Sequence, residues 1–163
     1  MPDNKSEKKA SIAYKHAKEI YDFAQEELHT AFVERGQIYA ELMNANADIR
    51  ERYAEEYKAH QESFTEIYEK YEDEINNAQR KGAKGVDKLQ RLLKKRQDEW
   101  DTIYDIFHKK GQEIIEEGLT HYPELDERYH NNKENITEYK KVIEDIENFF
   151  DEIYKLSRAL LPI

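Results

Sequence analysis

Three residue pairs have the types and spacing of metal ligands: Glu26 with His29, Asp105 with His108, and Glu127 with His130. Each sets a carboxylate and an imidazole one helical turn apart, as in carboxylate-bridged di-iron sites, which recruit further glutamates from two more helices. That chemistry needs every ligand to point inward, and helical phase argues against it. If Leu28 and Ala31 mark the buried stripe of a first helix, Glu26 and His29 fall on its flank. Leu125, Tyr129 and Asn132 place Glu127 and His130 outside in the same way, and Phe107 does so for Asp105 and His108. In a chain with 36 acids and six histidines such pairs arise by chance. No metal site and no cofactor is expected.

His60 falls on an apolar stripe, where a histidine more often serves as a core or boundary residue than as a ligand. The chain has no cysteine, which excludes disulfides and thiolate chemistry. Ser6, Ser11, Ser63 and Ser157 have no nucleophile motif around them, and neither glycine-rich phosphate loop is present. No residue is assigned a catalytic role, and a non-enzymatic protein is the expectation.

The elements that would position any site are helices. Of the 163 residues, 38% are charged, with only five Gly and three Pro, the profile of long solvent-laced helices. Apolar residues recur by threes and fours along four stretches. The first runs Leu28, Ala31, Arg35, Ile38, Leu42, Ala45, Ile49, and the second Tyr53, Tyr57, His60, Phe64, Ile67, Tyr71, Ala78. The third runs Val86, Leu89, Leu93, Arg96, Trp100, Ile103, Phe107, Lys110, Ile114. The last is Leu125, Tyr129, Asn132, Ile136, Tyr139, Ile143, Ile146, Phe150, Ile153, Ser157, Leu160. Alternation by two, the mark of a strand, is absent. Arg35, His60, Arg96, Lys110, Glu117 and Asn132 stand where apolar residues are expected. Such positions either fix register or mark a wet edge. The 12 tyrosines fit the boundary of a slender core.

Gly82 and Gly85 in KGAKG mark one turn, and Gly118 with Pro123 in GLTHYPE mark another. Met43 to Asp48, MNANAD, is a third break without Gly or Pro. Folding at KGAKG brings the other two breaks side by side. The expectation is a single all-α domain over 1–163, an antiparallel four-helix bundle with helices at about 7–43, 48–79, 86–117 and 124–160. The alternative is one extended helical hairpin with kinked arms. No window has the roughly 18 apolar residues of a membrane span, and no apolar run of signal-peptide length opens the chain. A cytoplasmic protein is expected. Neither a helical-repeat period nor a known family pattern is evident.

Charge is unevenly placed. The net charge is −10, yet eight of the 26 Lys and Arg lie between Arg80 and Arg96, with Asp87 the only acid among them. Arg80, Lys81, Lys84, Lys88, Arg91, Lys94 and Lys95 are the candidate partner-binding residues. Two uses compete: an internal cation strip against the acids at 69–74 and 144–152, or a free surface for an anionic partner. The functional expectation is a protein–protein interaction module (an adaptor, inhibitor or assembly factor) acting through a charged, mainly acidic surface on a partner with a basic surface. The alternative is a coiled-coil scaffold or membrane-associated protein docking through 80–96. Homodimerisation and anionic lipid remain open as partners. Nucleic acid is not expected of so acidic a surface.

Overall fold

The computed structural model describes residues 4–159. It is all-α, as the spacing predicts: α1 (Asn4–Ala45), α2 (Ala47–Arg80), α3 (Val86–Leu119) and α4 (Pro123–Ala159), with a 3-10 turn at Gly82–Gly85 before α3. No strand occurs among the described residues. The helices pair antiparallel, α2 with α3 and α1 with α4, which fits the expected helical bundle. By contacts the chain divides into two units, one of residues 1–40 with 124–163 and one of residues 41–123. No described helix is long and apolar enough to cross a membrane.

In the unit of residues 41–123, Ile67, Tyr71, Ile75, Ala78 and Leu92 form a buried cluster, with Leu89, Trp100 and Ile103 packed against it. Towards the other end of the same unit, Leu42, Ile49, Ile114, Ile115 and Leu119 are buried. The seam of α3 differs from the reading of its sequence. Leu92 is buried and Leu93 is 38% exposed. Lys110 and Glu117 are outside, and Gly111 and Gly118, each one residue further on, are buried in their place. Glycine lets the helices approach here. A Cβ on Gly118 would stand 2.8 Å from Cγ1 of Ile49, and one on Gly111 3.1 Å from the Tyr53 ring. On α2 Tyr57 is exposed, and Ile75, absent from the predicted stripe, is buried.

The three breaks take different forms. After α2, Gly82 adopts φ +57°, a left-handed conformation that costs a residue with a Cβ about 1–2 kcal/mol. Around MNANAD the interruption is one residue long. Asn46 is extended at φ −133°, ψ 102°, and its Oδ1 accepts from the Ile49 N–H as an N-cap. The helical ladder nevertheless continues across it, from Asn46 N–H to Leu42 C=O and from Arg50 N–H to Asn46 C=O. At GLTHYPE, Thr120 Oγ1 donates to the Glu117 carbonyl, and α4 begins at Pro123, whose missing N–H costs nothing there. The Tyr122 hydroxyl then donates to the Ala45 carbonyl at 3.1 Å. The two breaks lie side by side, as folding at KGAKG requires, and a carbonyl left over at the end of α1 gains a partner.

In the other unit Ala24, Ala31, Ile38, Tyr129 and Ile136 are buried, together with one polar residue, Asn132. Asn132 Nδ2 donates to the Ala31 carbonyl at 2.7 Å, and its Oδ1 accepts from Arg35 Nε at 3.1 Å. Of the two meanings open for a polar seam residue, Asn132 takes the first. Its bonds tie one position on α4 to one turn of α1, and a shift by a turn would leave an amide buried without partners. Elsewhere in this pair Tyr21 donates to Glu147 and Tyr139 to Glu27, each a ring on the seam with its hydroxyl at the edge.

Candidate functional site

The seven candidate residues gather at the turn between α2 and α3 and along the first turns of α3. Arg80 closes α2, Lys81 and Lys84 lie in the turn, and all seven are exposed. On α3 the burial of Leu89 and Leu92 against α2 sets the phase. At 100° per residue, Arg91 and Lys94 then face away from α2, while Lys88 and Lys95 lie on the flank, roughly a quarter turn from the seam. Lys88 lies 3.6 Å from Glu74, and Arg91 Nε donates to the Asp87 carbonyl one turn back. Arg80, Lys81, Lys84 and Lys94 have no ion-pair partner within 4 Å among the described residues. Asp87, Gln90, Arg91 and Lys94 line a shallow groove. Val86 and Leu93, seven residues apart on one face, are 44% and 38% exposed beside the cations.

Within the α2–α3 unit, the acids at 69–74 take little of this charge. Among Glu69, Glu72, Asp73 and Glu74, only Glu74 meets a cation of the stretch. The acids at 144–152 belong to the unit of α1 and α4, where Glu147 accepts from Tyr21. The other ion pairs between α2 and α3 lie further along. Lys70 Nζ and the Tyr71 hydroxyl both reach Glu99 Oε1 at 2.8 Å. Those hydrogen bonds, Lys70's first, hold the Glu99 carboxyl below the usual range; the charge of Lys95 adds a smaller pull. Arg52 grips Glu117 with two bonds, at 3.1 and 2.8 Å, and lowers its carboxyl pKa likewise. Arg96, at the end of the stretch, turns inward and stacks its guanidinium over Trp100, 4.7 Å from the ring centroid.

The carboxylate–histidine pairs lie outside. Glu26, His29, Glu127, His130, Asp105 and His108 are all exposed. His130 lies 3.5 Å from Asp126, not from Glu127. No group of three or more His, Asp or Glu able to hold a metal occurs among the described residues. His60 is packed among aromatics, stacked on Phe107 at 4.4 Å and edge-on to Phe64 at 4.3 Å, with Nδ1 buried and unbonded. Burial lowers its pKa. The Lys70–Tyr71–Glu99 cluster was not foreseen from the sequence. Its signal was available in the turn at 82–85, since an antiparallel fold there sets residues near 70 opposite residues near 99.

No family model matches the chain, and neither a curated protein nor a solved structure matches it. Fold and site define a class: an all-α protein of antiparallel helix pairs, acidic overall, with eight of its 26 Lys and Arg at the α2–α3 turn and the start of α3.

Proposed function

We propose that this chain is a non-enzymatic helical interaction protein, acting in the cytoplasm, that docks an acidic protein surface through the α2–α3 turn and the start of α3. The observation that carries this reading is the unpaired charge of Arg80, Lys81, Lys84 and Lys94 on an exposed surface. A folded protein of net charge −10 has ample acid to neutralise its own cations, and here four of them are left to solvent. Acidic residues are spread along both helix pairs. The cations are concentrated, so a carboxylate-rich partner feels a local positive field that speeds encounter and sets orientation. Val86 and Leu93 supply apolar contact inside that field.

The same juxtaposition of exposed Val86 and Leu93 with lysines favours a second reading, an anionic membrane surface. One pair of measurements separates the two. The wild type and the Arg80→Glu/Lys81→Glu/Lys84→Glu/Lys94→Glu variant are each used to capture partners at about 0.1 M and about 0.5 M salt. Both are also floated with vesicles rich in phosphatidylserine. Docking on an acidic protein predicts a partner retained by the wild type at low salt and lost in the variant, with no flotation. Equal retention by both forms contradicts it. Flotation of the wild type alone moves the membrane reading to first place.

A further inference from the structure

The α1–α4 pair carries a second apolar stripe that its own seam does not use. Along α4, Val142, Phe149 and Leu156 recur every seven residues, the repeat of a coiled-coil contact position. Phe149 is 36% and Leu156 65% exposed, and Val142 is half-buried. Opposite them on α1 lie Ile20 and Phe23, 53% and 58% exposed. At 100° per residue both sets stand roughly a quarter turn from the buried seam, on the side where Tyr139 meets Glu27 and away from the side where Tyr21 meets Glu147. Two neighbouring helices therefore present their second stripes on one face.

We propose that a second copy of this chain covers that face, so that two α1–α4 pairs close into an intermolecular four-helix bundle. The area is sufficient. Taking roughly 200 Å² for a fully exposed side chain of this size, the exposed fractions of Ile20, Phe23, Phe149 and Leu156 amount to about 400 Å² of apolar surface per copy. Interfaces are about 60% apolar, so the whole patch is near 700 Å² per copy, or about 1,400 Å² in total, within the range of specific complexes.

Charge selects the arrangement. The stretch from Lys5 to Lys18 holds five lysines and one acid, whereas Glu144 to Glu152 holds five acids and no base. Antiparallel pairing puts both stretches at one end of the unit, as the contact of the Tyr14 and Phe150 rings, 5.2 Å between centroids, shows. A two-fold axis parallel to the helices sets each α1 over the partner's α4 at matching height, so lysines face acids and every neighbouring helix is antiparallel. A two-fold axis across the helices, passing through the patch, would set each α4 over the partner's α4 and bring the acids of 144–152 against their own copies. The first arrangement also brings Phe23 level with the partner's Val142. This interface lies on the α1–α4 unit, and the docking site proposed above lies on the other, so each stands without the other.

Three measurements on the full chain test the proposal. Light scattering over a concentration series is expected to give twice the chain mass of 19.6 kDa. Ile20→Glu/Phe149→Glu places charge at positions that are already open in the single chain, so its helix content is retained while dimerisation weakens by about a hundredfold or more. Tyr57→Glu/Tyr104→Glu, at exposed positions of the other pair, leaves the dimer intact. Because the chain has no cysteine, a mixture of Phe23→Cys and Val142→Cys chains should form the mixed disulfide in preference to either self-pair. A monomer up to about 100 μM, a dimer indifferent to Ile20→Glu/Phe149→Glu, or self-pairing of Phe23→Cys would each overturn the proposal.

Discussion

Replacing Asn132 separates what its hydrogen bonds contribute from what its volume contributes. The residue is 1% exposed, with bonds of 2.7 Å to the Ala31 carbonyl and 3.1 Å from Arg35 Nε. Asn132→Ala removes both. The neutral bond contributes about 1 kcal/mol, and the bond from the guanidinium about 1.5 kcal/mol, the low end for a charged donor because half-buried Arg35 can turn to water. Loss of the amide also leaves a void of a few tens of Å³, worth somewhat under 1 kcal/mol. The total is about 2–4 kcal/mol. Asn132→Leu loses the same bonds but fills the space with apolar atoms. The Ala31 carbonyl keeps its helical partner, and Arg35 keeps the face of Tyr129, 5.6 Å from the ring centroid, so the expected cost is within about 1 kcal/mol. Urea unfolding followed by circular dichroism, with the slope checked for constancy, reads both. Equal losses for the two variants would show that shape and not bonding is the cause. A loss under about 0.5 kcal/mol for Asn132→Ala would contradict the bond contributions.

Three further predictions concern the α2–α3 pair and the helix interiors. Gly36, exposed in α1 with nothing within 4 Å of an added Cβ, should gain up to about 1 kcal/mol as Gly36→Ala. Gly118→Ala should gain nothing or lose up to about 2 kcal/mol, since its Cβ would strike Ile49; thermal melts of the two would contradict the close approach of α3 to α2 if both were stabilised alike. His60 has its pKa lowered by burial. The unfolded chain therefore takes up its proton first, and the stabilising effect of keeping His60 neutral, complete above about pH 6.5, is lost as pH falls through the folded value. His60→Phe, extending the rings of Phe64 and Phe107, should flatten stability measured between about pH 7 and pH 5, and an unchanged slope would show that His60 is not the group responsible. Glu99 and Glu117, held low by Lys70 and Arg52, keep their contribution above the ordinary carboxylate range and lose it as pH falls through their lowered values. Both ion pairs are exposed, so added salt should shrink this acid-side loss, and a salt-insensitive loss would count against them.

Much of the fold was legible because apolar spacing and helix breakers speak for themselves. Gly82, Gly118 and Pro123 marked two turns, and the match of their distances placed MNANAD beside GLTHYPE, where the Tyr122–Ala45 bond now stands. On α3, spacing by threes and fours admits Leu93 as readily as Leu92 and, beyond Phe107, steps onto Lys110 and Glu117, because glycine carries no apolar signal that would draw the stripe to Gly111 and Gly118. The helices instead meet at Leu92, Gly111 and Gly118, where small size permits contact that no apolar scale records. At the candidate site, composition showed where the cations lie. Whether acids neutralise them depends on which helix lies beside which, and that is a property of pairing, absent from a one-dimensional count. The pairing gave one partner, Glu74, to Lys88 and left Arg80, Lys81, Lys84 and Lys94 open.

The docking claim is tested most directly by placing a photoreactive residue at Lys84 or at Lys94, and as a control at exposed Glu113, in cells that make the protein. Positions 84 and 94 are expected to cross-link to the same partner through a carboxylate-rich segment, and position 113 is not. Cross-links shared equally by all three positions, or a partner segment without acidic residues, would contradict the docking claim.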